Sequence, residues 1–460
     1  MKYAIVMAAG VGSRMQSKHH KVVAPFFGKP LINNLLTTLR QCEFNEIYAV
    51  LGHQGDEVSA VIDDDIFVCY QLPKQLGTAD AIKRVDELKN RDGVTLIVSG
   101  DVVAISQESI NEILEFKRDY DCVVVSMLLD DGAKYGRIIR DHDGSVLKIV
   151  EAKDASASEL LVNEVNSGIY CIDNRLLFDY LPLINNDNVA GEYYLTDIID
   201  LMVKNNKRVG CYCLKNANEG RGVNTKMELI TLERDLKLEI NRYWMSQGVI
   251  IIDENNTTIS MHAKLSKDVV IYPNTYIVGC SVIGEGSIIK PNSYIEDSVI
   301  GNDCLIESSK IIDSIIDNDV TIGPFAHIRG HSQISSGCRI GNFVELKNTI
   351  MSNNSKCSHL SYLGDCDVGC GVNIGCGVVT VNYNGAEKFR TIINDRAFIG
   401  SNVNLVAPIE IGAGAVVAAG STLSKSVDAD DLVIERSEVC VKKQGGFAYI
   451  EKNKMRKEGK

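Results

Sequence analysis

"KLSKDVVIYPNTYIVGCSVIGEGSIIKPNSYIEDSVIG", Lys264 to Gly301, carries an aliphatic residue at every sixth position: Leu265, Ile271, Ile277, Ile283, Ile289 and Ile295. The period returns at Ile322, Ile328, Ile334, Ile340 and Leu346. It returns again at Ile393, Ile399, Leu405, Ile411, Val417 and Leu423. This hexad repeat is the signature of a left-handed parallel β-helix. Three hexads, about 18 residues, make one triangular coil, and the repeated side chain points inward onto its copies above and below. Such a prism is a one-dimensional stack. Its interior is expected to exclude polar groups, so function belongs on faces, in inserted loops or between subunits. The phase is lost between Leu346 and Ile393, where "HLSYLGD" (359–365) and "TVNYNGAEKFRT" (380–391) lie. Both are expected to leave the prism as loops.

Upstream the period is different. From residue 3 to about 225, the apolar runs "YAIVMA", "EIYAVLG", "VTLIVSGD" and "CVVVSMLL" alternate with the helical patterns "KPLINNLLTTLRQC" and "TADAIKRVDELKN". Buried strands alternating with helices imply a mostly parallel, doubly covered sheet. Ligands then bind beyond the carboxyl ends of the strands. Apolar residues at 229, 232, 236, 240 and 244 give a helix at the boundary, read as a connecting helix or equally as the terminal helix of the first domain. The expected organisation is an α/β domain over 1–225, a linker helix over 226–246, a β-helix over 247–440 and a basic tail over 441–460.

The net charge of −12 disfavours nucleic acid and anionic membrane as partners. A phosphate-bearing ligand must therefore meet a local cluster of cations. No apolar run is long enough for membrane insertion, and the first strand lacks a cleavage region. The 14 cysteines show no C-x-x-C. These features predict a cytoplasmic chain with reduced thiols.

"AAGVGSRMQSKHHK" (8–21) follows the first strand. Its glycines let backbone N–H groups approach phosphates, and Arg14 and Lys21 add charge. It matches neither the P-loop nor the dinucleotide fingerprint. "QLGTADA" sets Gly77 and Thr78 at a helix start, "VSGD" sets Asp101 at a strand end, and "GVN" sets Asn224 at the end of the domain. Asp101 suits Mg²⁺, which takes one or two protein oxygens. Its plainer role would be a helix N-cap. In the second half Arg329 and Lys347 are 18 apart and stack one coil above the other. Two cations without adjacent acids want an anion such as a sugar phosphate. His359 beside them suits proton removal from an amine, against the plainer reading of a surface or capping residue. A metal site from Cys366, Cys370 and His359 is the competing reading, and its C-x₃-C spacing is unusual for one.

The first motif set resembles the sugar-1-phosphate nucleotidylyltransferases. With the hexad half attached, residues 3 to about 440 resemble the bacterial bifunctional N-acetylglucosamine-1-phosphate uridylyltransferase / glucosamine-1-phosphate N-acetyltransferase family. The resemblance implies a supply of UDP-N-acetylglucosamine, a cell-wall and lipopolysaccharide precursor, by acetyl transfer followed by uridylyl transfer. It implies Met7, Ala8, Ala9, Gly10 and Gln71 at the uracil and ribose, with Gly77 and Thr78 on the base. It implies Arg14 and Lys21 at the triphosphate, Mg²⁺ on Asp101 and Asn224, and N-acetylglucosamine at Gly136, Glu151 and Asn166. His359 would be the general base, with Arg329, Lys347, Tyr362 and Asn373 on glucosamine-1-phosphate. Cys376, Asn382, Tyr383, Ser401, Ala419 and Arg436 would hold acetyl-CoA. The β-helix implies a homotrimer, with the 381–385 loop and the tail after Arg436 completing a neighbour's site. Cys376 stands where the family often has Ala. His20 and Val103 stand where the family has proline, so two loops beside the phosphates are expected to be looser. Gln71 lies one residue further from Gly77 than the family spacing. Two other readings are a nucleotidylyltransferase with a merely oligomerising β-helix and a non-catalytic scaffold. Arg329, Lys347, His359 and Tyr362 oppose the first; Asp101 and Asn224 oppose the second.

Overall fold

The computed structural model describes residues 1–132, 134–437 and 439–457; the last three residues of the expected tail lie outside the described residues. The chain forms two compact units, Met1–Lys264 with Tyr276–Ser281, and Leu265–Thr275 with Val282–Lys460.

The first unit is built on strands β1 (Lys2–Ala8), β2 (Glu46–Leu51), β3 (Phe67–Tyr70), β4 (Val94–Ser99), β5 (Cys122–Leu128), β6 (Arg137–Arg140), β7 (Val146–Val150), β8 (Glu164–Asp173) and β9 (Val209–Cys213). The main sheet runs β9-β5-β8-β4-β1-β2-β3, with β6 and β7 added beside β8. All neighbours in that row are parallel except β8, which is antiparallel to β4 and β5. Alternate residues of β1 serve opposite cores, so the strand reads as unbroken apolar. Ala4, Val6 and Ala8 face helices α1 (Leu31–Gln41), α4 (Gln107–Phe116) and α7 (Lys226–Ser246). Tyr3 and Ile5 face α3 (Thr78–Lys83), α5 (Asn174–Tyr180) and α6 (Asp197–Lys204). The short helix α2 (Gly55–Ser59) follows β2. The helical pattern over 78–90 stops at Lys83, because Val85 leaves helical geometry (φ −91°, ψ 57°) and buries its side chain completely.

The second unit is a three-faced prism. On one face Ile271, Ile289, Ile306, Ile322, Ile340, Cys357, Ile374, Ile399 and Val417 stack in parallel register. Ile283, Ile300, Ile316, Ile334, Met351, Val368, Ile393 and Ile411 line the second face. Ile295, Ile311, Ile328, Leu346 and Leu363 line the third. Asn, Asp and Gly hold the left-handed corners, among them Asn292, Asp303, Asp319, Asn354 and Asn402, the residues that tolerate positive φ.

Two expectations are corrected here. The interior does admit polar groups, and all but a few, such as the Thr391 hydroxyl, are bonded. Ser287 Oγ donates to the Gly301 carbonyl (2.8 Å) and accepts from the Cys304 N–H (3.0 Å). Thr380 takes an aliphatic place on the third face, where its hydroxyl bonds both the N–H and the carbonyl of Gly364. Nor does "HLSYLGD" leave the prism. His359 ends one strand, Leu360 turns the corner at φ 40° and Leu363 is a buried core rung. The period falters because some turns of the coil drop a residue. Only the "VNYNG" region leaves, as a hairpin closed by the Tyr383–Lys388 bridge and the Phe389 N–H to Asn382 bond.

Leu346 is wholly buried between Ile328 and Leu363. Leu346→Ala should cost about 2–4 kcal/mol, read as an earlier denaturant midpoint for the β-helix unit. An unchanged midpoint would refute stacking as the source of its stability.

Candidate active sites

In the first unit the carboxyl ends of β1 and β4 open onto two adjoining cavities. One, of about 390 Å³, is lined by Met7, Ala8, Ala9, Gly10, Lys21, Gln71, Gly77, Thr78 and Asp101, among others. The other, of about 250 Å³, is lined by Gly136, Glu151, Asn166 and Asn224, and shares Met7, Thr78, Ser99 and Asp101 with the first. Arg14 joins from the rim through Asn224 Oδ1, 2.9 Å away. Every residue expected at the nucleotide and the sugar thus lies in one continuous cleft.

The charged centre of this cleft is compact. Lys21 Nζ lies 2.5 Å from Asp101 Oδ2 and 3.3 Å from Asn224 Oδ1. Ser99 Oγ donates to Asp101 Oδ1 at 2.6 Å. Asp101 is not a helix cap; Ser106 caps α4. The Lys21 ammonium thus occupies a place where two protein oxygens converge, and a carboxylate with a carbonyl suits a hard divalent cation.

The surrounding loops are tied rather than loose, contrary to the expectation drawn from the two absent prolines. His20 is buried. Its Nδ1 accepts from the Val22 N–H (3.3 Å), which leaves Nε2–H to donate to the Gly10 carbonyl (2.9 Å), and its own N–H donates to Glu57 (2.8 Å). Burial lowers its pKa, favouring this neutral form. Side-chain bonds do here what a proline ring does elsewhere. Val103 is fully buried, and the preceding Val102 pairs with Gly222. Gly77 has φ +115°, and a Cβ there would lie 2.5 Å from the Tyr193 carbonyl, so glycine is required. Gln71, despite its spacing, reaches the Gly77 carbonyl at 3.0 Å and Asp80 at 2.9 Å. The Thr78 hydroxyl accepts from the Leu195 N–H. A bulge in β8 between Asn166 and Ile169 turns Asn166 into the second cavity, where its amide donates to the Tyr170 hydroxyl at 2.7 Å.

In the prism, register does the gathering. Asn342 pairs with His359 on the next coil. Cys357, Ile374, Ile399 and Val417 are in register, so His359, Cys376, Ser401 and Ala419, each two residues further on, form one corner column. Arg329 stacks on Lys347, and Tyr362 begins the neighbouring face, in register with Glu345. Asn373 starts the next strand on the face that His359 ends, in register with Lys356. Asn382 donates to Asp365 at 2.5 Å, and the Tyr383 hydroxyl donates to Gly385. Arg436 lies exposed beyond the last strand, without a hydrogen bond or ion pair among the described residues.

His359 Nδ1 is 2.9 Å from Asn342 Oδ1. An amide oxygen only accepts, so Nδ1 carries the proton and Nε2 is left basic. The expectation that no acid adjoins the two cations is corrected: Glu345 Oε1 pairs with Arg329 at 2.5 Å. Lys347 instead faces Lys388 from the hairpin, whose ammonium lowers its pKa. Lys388, Asn342 and Glu345 escaped the sequence reading. One coil's spacing from His359 would have flagged Asn342. The Cys reading fails: Cys366 is buried, Cys370 is exposed, and no group of three or more metal-ligating side chains occurs among the described residues.

Comparison with known proteins finds relatives of both halves of the chain. Residues 4–137 match the MobA-like NTP transferase domain, and 262–297 and 313–348 match the bacterial transferase hexapeptide (six repeats). The bifunctional protein GlmU of Geobacillus sp. (strain WCH70) is 44% identical over 439 residues, 95% of each chain. That of Clostridium novyi (strain NT) is 42% identical over 95% of this chain and 96% of its own. That of Clostridioides difficile (strain 630) is 39% identical over 455 residues, 98% of each. The chain belongs to the GlmU family. It is a bifunctional transferase: it acetylates glucosamine-1-phosphate with acetyl-CoA, and it transfers UMP from UTP to N-acetylglucosamine-1-phosphate, giving UDP-N-acetylglucosamine and pyrophosphate. No helix among the described residues is long and apolar enough to cross a membrane.

In this GlmU-family cleft Glu151 is the strained acid. Burial raises its pKa, with Asp197 and Asp154 adding to the rise and the Thr196 hydroxyl opposing it. A carboxyl whose folded pKa is raised loses stability as pH climbs through its unfolded value and above. Glu151→Gln should therefore raise the melting temperature of the free protein by about 2 °C at pH 8, with the gain shrinking toward pH 4. A lower melting temperature at pH 8 would contradict this.

Proposed function

We propose that uridylyl transfer occurs in the first unit's cleft and acetyl transfer at the His359 corner. In functional terms the chain divides into 1–225, a joining helix 226–246, an acetyltransferase 247–440 and a tail. The observation that carries this reading is the convergence of Lys21, Asp101 and Asn224 at the strand ends.

In the cleft Met7, Ala8, Ala9, Gly10, Gln71, Gly77 and Thr78 enclose the uracil and ribose. Arg14 and Lys21 meet the triphosphate, and Gly136, Glu151 and Asn166 hold the sugar. Asp101 and Asn224 hold Mg²⁺. When bound, that ion neutralises phosphate charge and fixes geometry. The sugar-phosphate oxygen attacks the α-phosphorus and the bond to pyrophosphate breaks; Lys21 and Arg14 offset the charge on the departing group.

At the prism corner Arg329, Lys347, Tyr362 and Asn373 hold glucosamine-1-phosphate. Cys376, Asn382, Tyr383, Ser401, Ala419 and Arg436 hold acetyl-CoA. The amine nitrogen attacks the thioester carbonyl, His359 Nε2 takes the amine proton, and coenzyme A leaves as its thiol. Asn342 fixes the imidazole tautomer this requires. The exposed position of Arg436 and the hairpin supports a homotrimer in which they complete a neighbour's acetyl site. The substrates and the free thiols support a cytoplasmic location.

Asp101→Ala should reduce pyrophosphate release by about 10² or more and leave acetyl transfer intact. His359→Ala should do the converse, losing about 10²–10⁴ in acetyl transfer, while light scattering reads three chains in both variants. Loss of both activities in one folded variant, or full acetyltransferase activity in a monomer, would overturn the assignments.

A further inference from the structure

Lys134 and Glu228 lie outside every role assigned above, yet they meet beside Asn224. Lys134 lines the sugar cavity and also the adjoining space beside Arg14 and Asn224. Its ammonium is 2.5 Å from Glu228 Oε1. Glu228 Oε2 accepts from the Asn224 N–H at 2.8 Å and the Thr225 N–H at 3.1 Å. Glu228 is the third residue of α7, where its carboxylate closes a capping box with Thr225. Such a glutamate serves its own helix end; here its second oxygen also reaches a loop 94 residues away in sequence. The same loop has a neutral anchor on the same segment, since the Tyr135 hydroxyl accepts from the Gly222 N–H at 3.2 Å. One carboxylate therefore joins the wall of the sugar cavity to the backbone of Asn224. The pair is partly exposed, 59% for Lys134 and 30% for Glu228, and exposed pairs shift equilibria by only a few fold. That suits a contact that closes and reopens in each turnover.

We propose that Lys134 and Glu228 form a strap that positions the sugar acceptor. It holds the Lys134–Gly136 segment over the bound sugar phosphate and keeps Asn224 in place, so that the acceptor and the Asn224 oxygen are set together. Both are positioning residues, acting through Gly136 and Asn224. The inference rests on the assignment of the second cavity to N-acetylglucosamine-1-phosphate.

The test is calorimetric titration of full-length protein with N-acetylglucosamine-1-phosphate and, separately, with UTP. Lys134→Met, Glu228→Gln and the double variant are compared, and hydrogen exchange is followed at Tyr135 and Gly136. Each single variant should weaken sugar-phosphate binding about 3–5-fold, with faster exchange at those amides and unchanged affinity for UTP in the absence of Mg²⁺. The double variant should be no worse than either single one, because the pair acts as a unit. Multiplying effects, or unchanged affinity in both single variants, would overturn the strap. A loss at Lys134→Met tenfold beyond that at Glu228→Gln would also overturn it, because Lys134 would then contact the phosphate directly. Asn166→Ala serves as the control: if it binds the sugar phosphate as tightly as wild type, the cavity assignment itself fails and the strap falls with it.

Discussion

In-register stacking governs the second unit: each coil must set an aliphatic rung on the one below, three times per turn. That demand fixes the backbone so closely that outward side chains also fall into columns. His359, Cys376, Ser401 and Ala419 share a corner because Cys357, Ile374, Ile399 and Val417 share a column inside it. Arg329 meets Lys347 because Ile328 meets Leu346. These columns need no flexible assembly; they are the outer surface of a packed core. The hairpin around Tyr383, which the stack does not dictate, brings the further cation Lys388 beside Lys347.

The first unit solves a different problem. A doubly covered sheet has no outward face to spare, so chemistry is confined to strand ends. Asp101 and the Gly-rich turn are neighbours because β1 lies beside β4 in parallel register. Lys21 comes from the following turn, Asn224 from the segment before α7. The chain is acidic overall, with a net charge of −12, yet Arg14 and Lys21 gather where three segments meet.

The hexad period was legible because inward packing tolerates few residue types. The cleft motifs were legible because the Gly-rich turn and Asp101 follow strand ends that the alternating pattern located, and Asn224 closes the domain just before the joining helix. What escaped was set by tertiary partners. The "HLSYLGD" stretch looked like a loop because coils shorten by a residue without leaving the prism. Glu345 beside Arg329 was hidden in a strand that reads only as alternation. His20 looked like a lost proline, and only its bonds to Gly10, Val22 and Glu57 reveal the replacement. The Lys134–Glu228 pair joins residues too distant in sequence for any local pattern to connect.

The central claim is that two chemistries with different requirements reside on one chain, one dependent on a cation held by Asp101 and Asn224 and one dependent on a neutral imidazole. One preparation, supplied separately with UTP plus N-acetylglucosamine-1-phosphate and with acetyl-CoA plus glucosamine-1-phosphate, tests it through chelation. EDTA should abolish pyrophosphate release, Mg²⁺ should restore it, and the release of free thiol should be unchanged throughout. Loss of both activities to the chelator, or pyrophosphate release that survives it, would contradict the account.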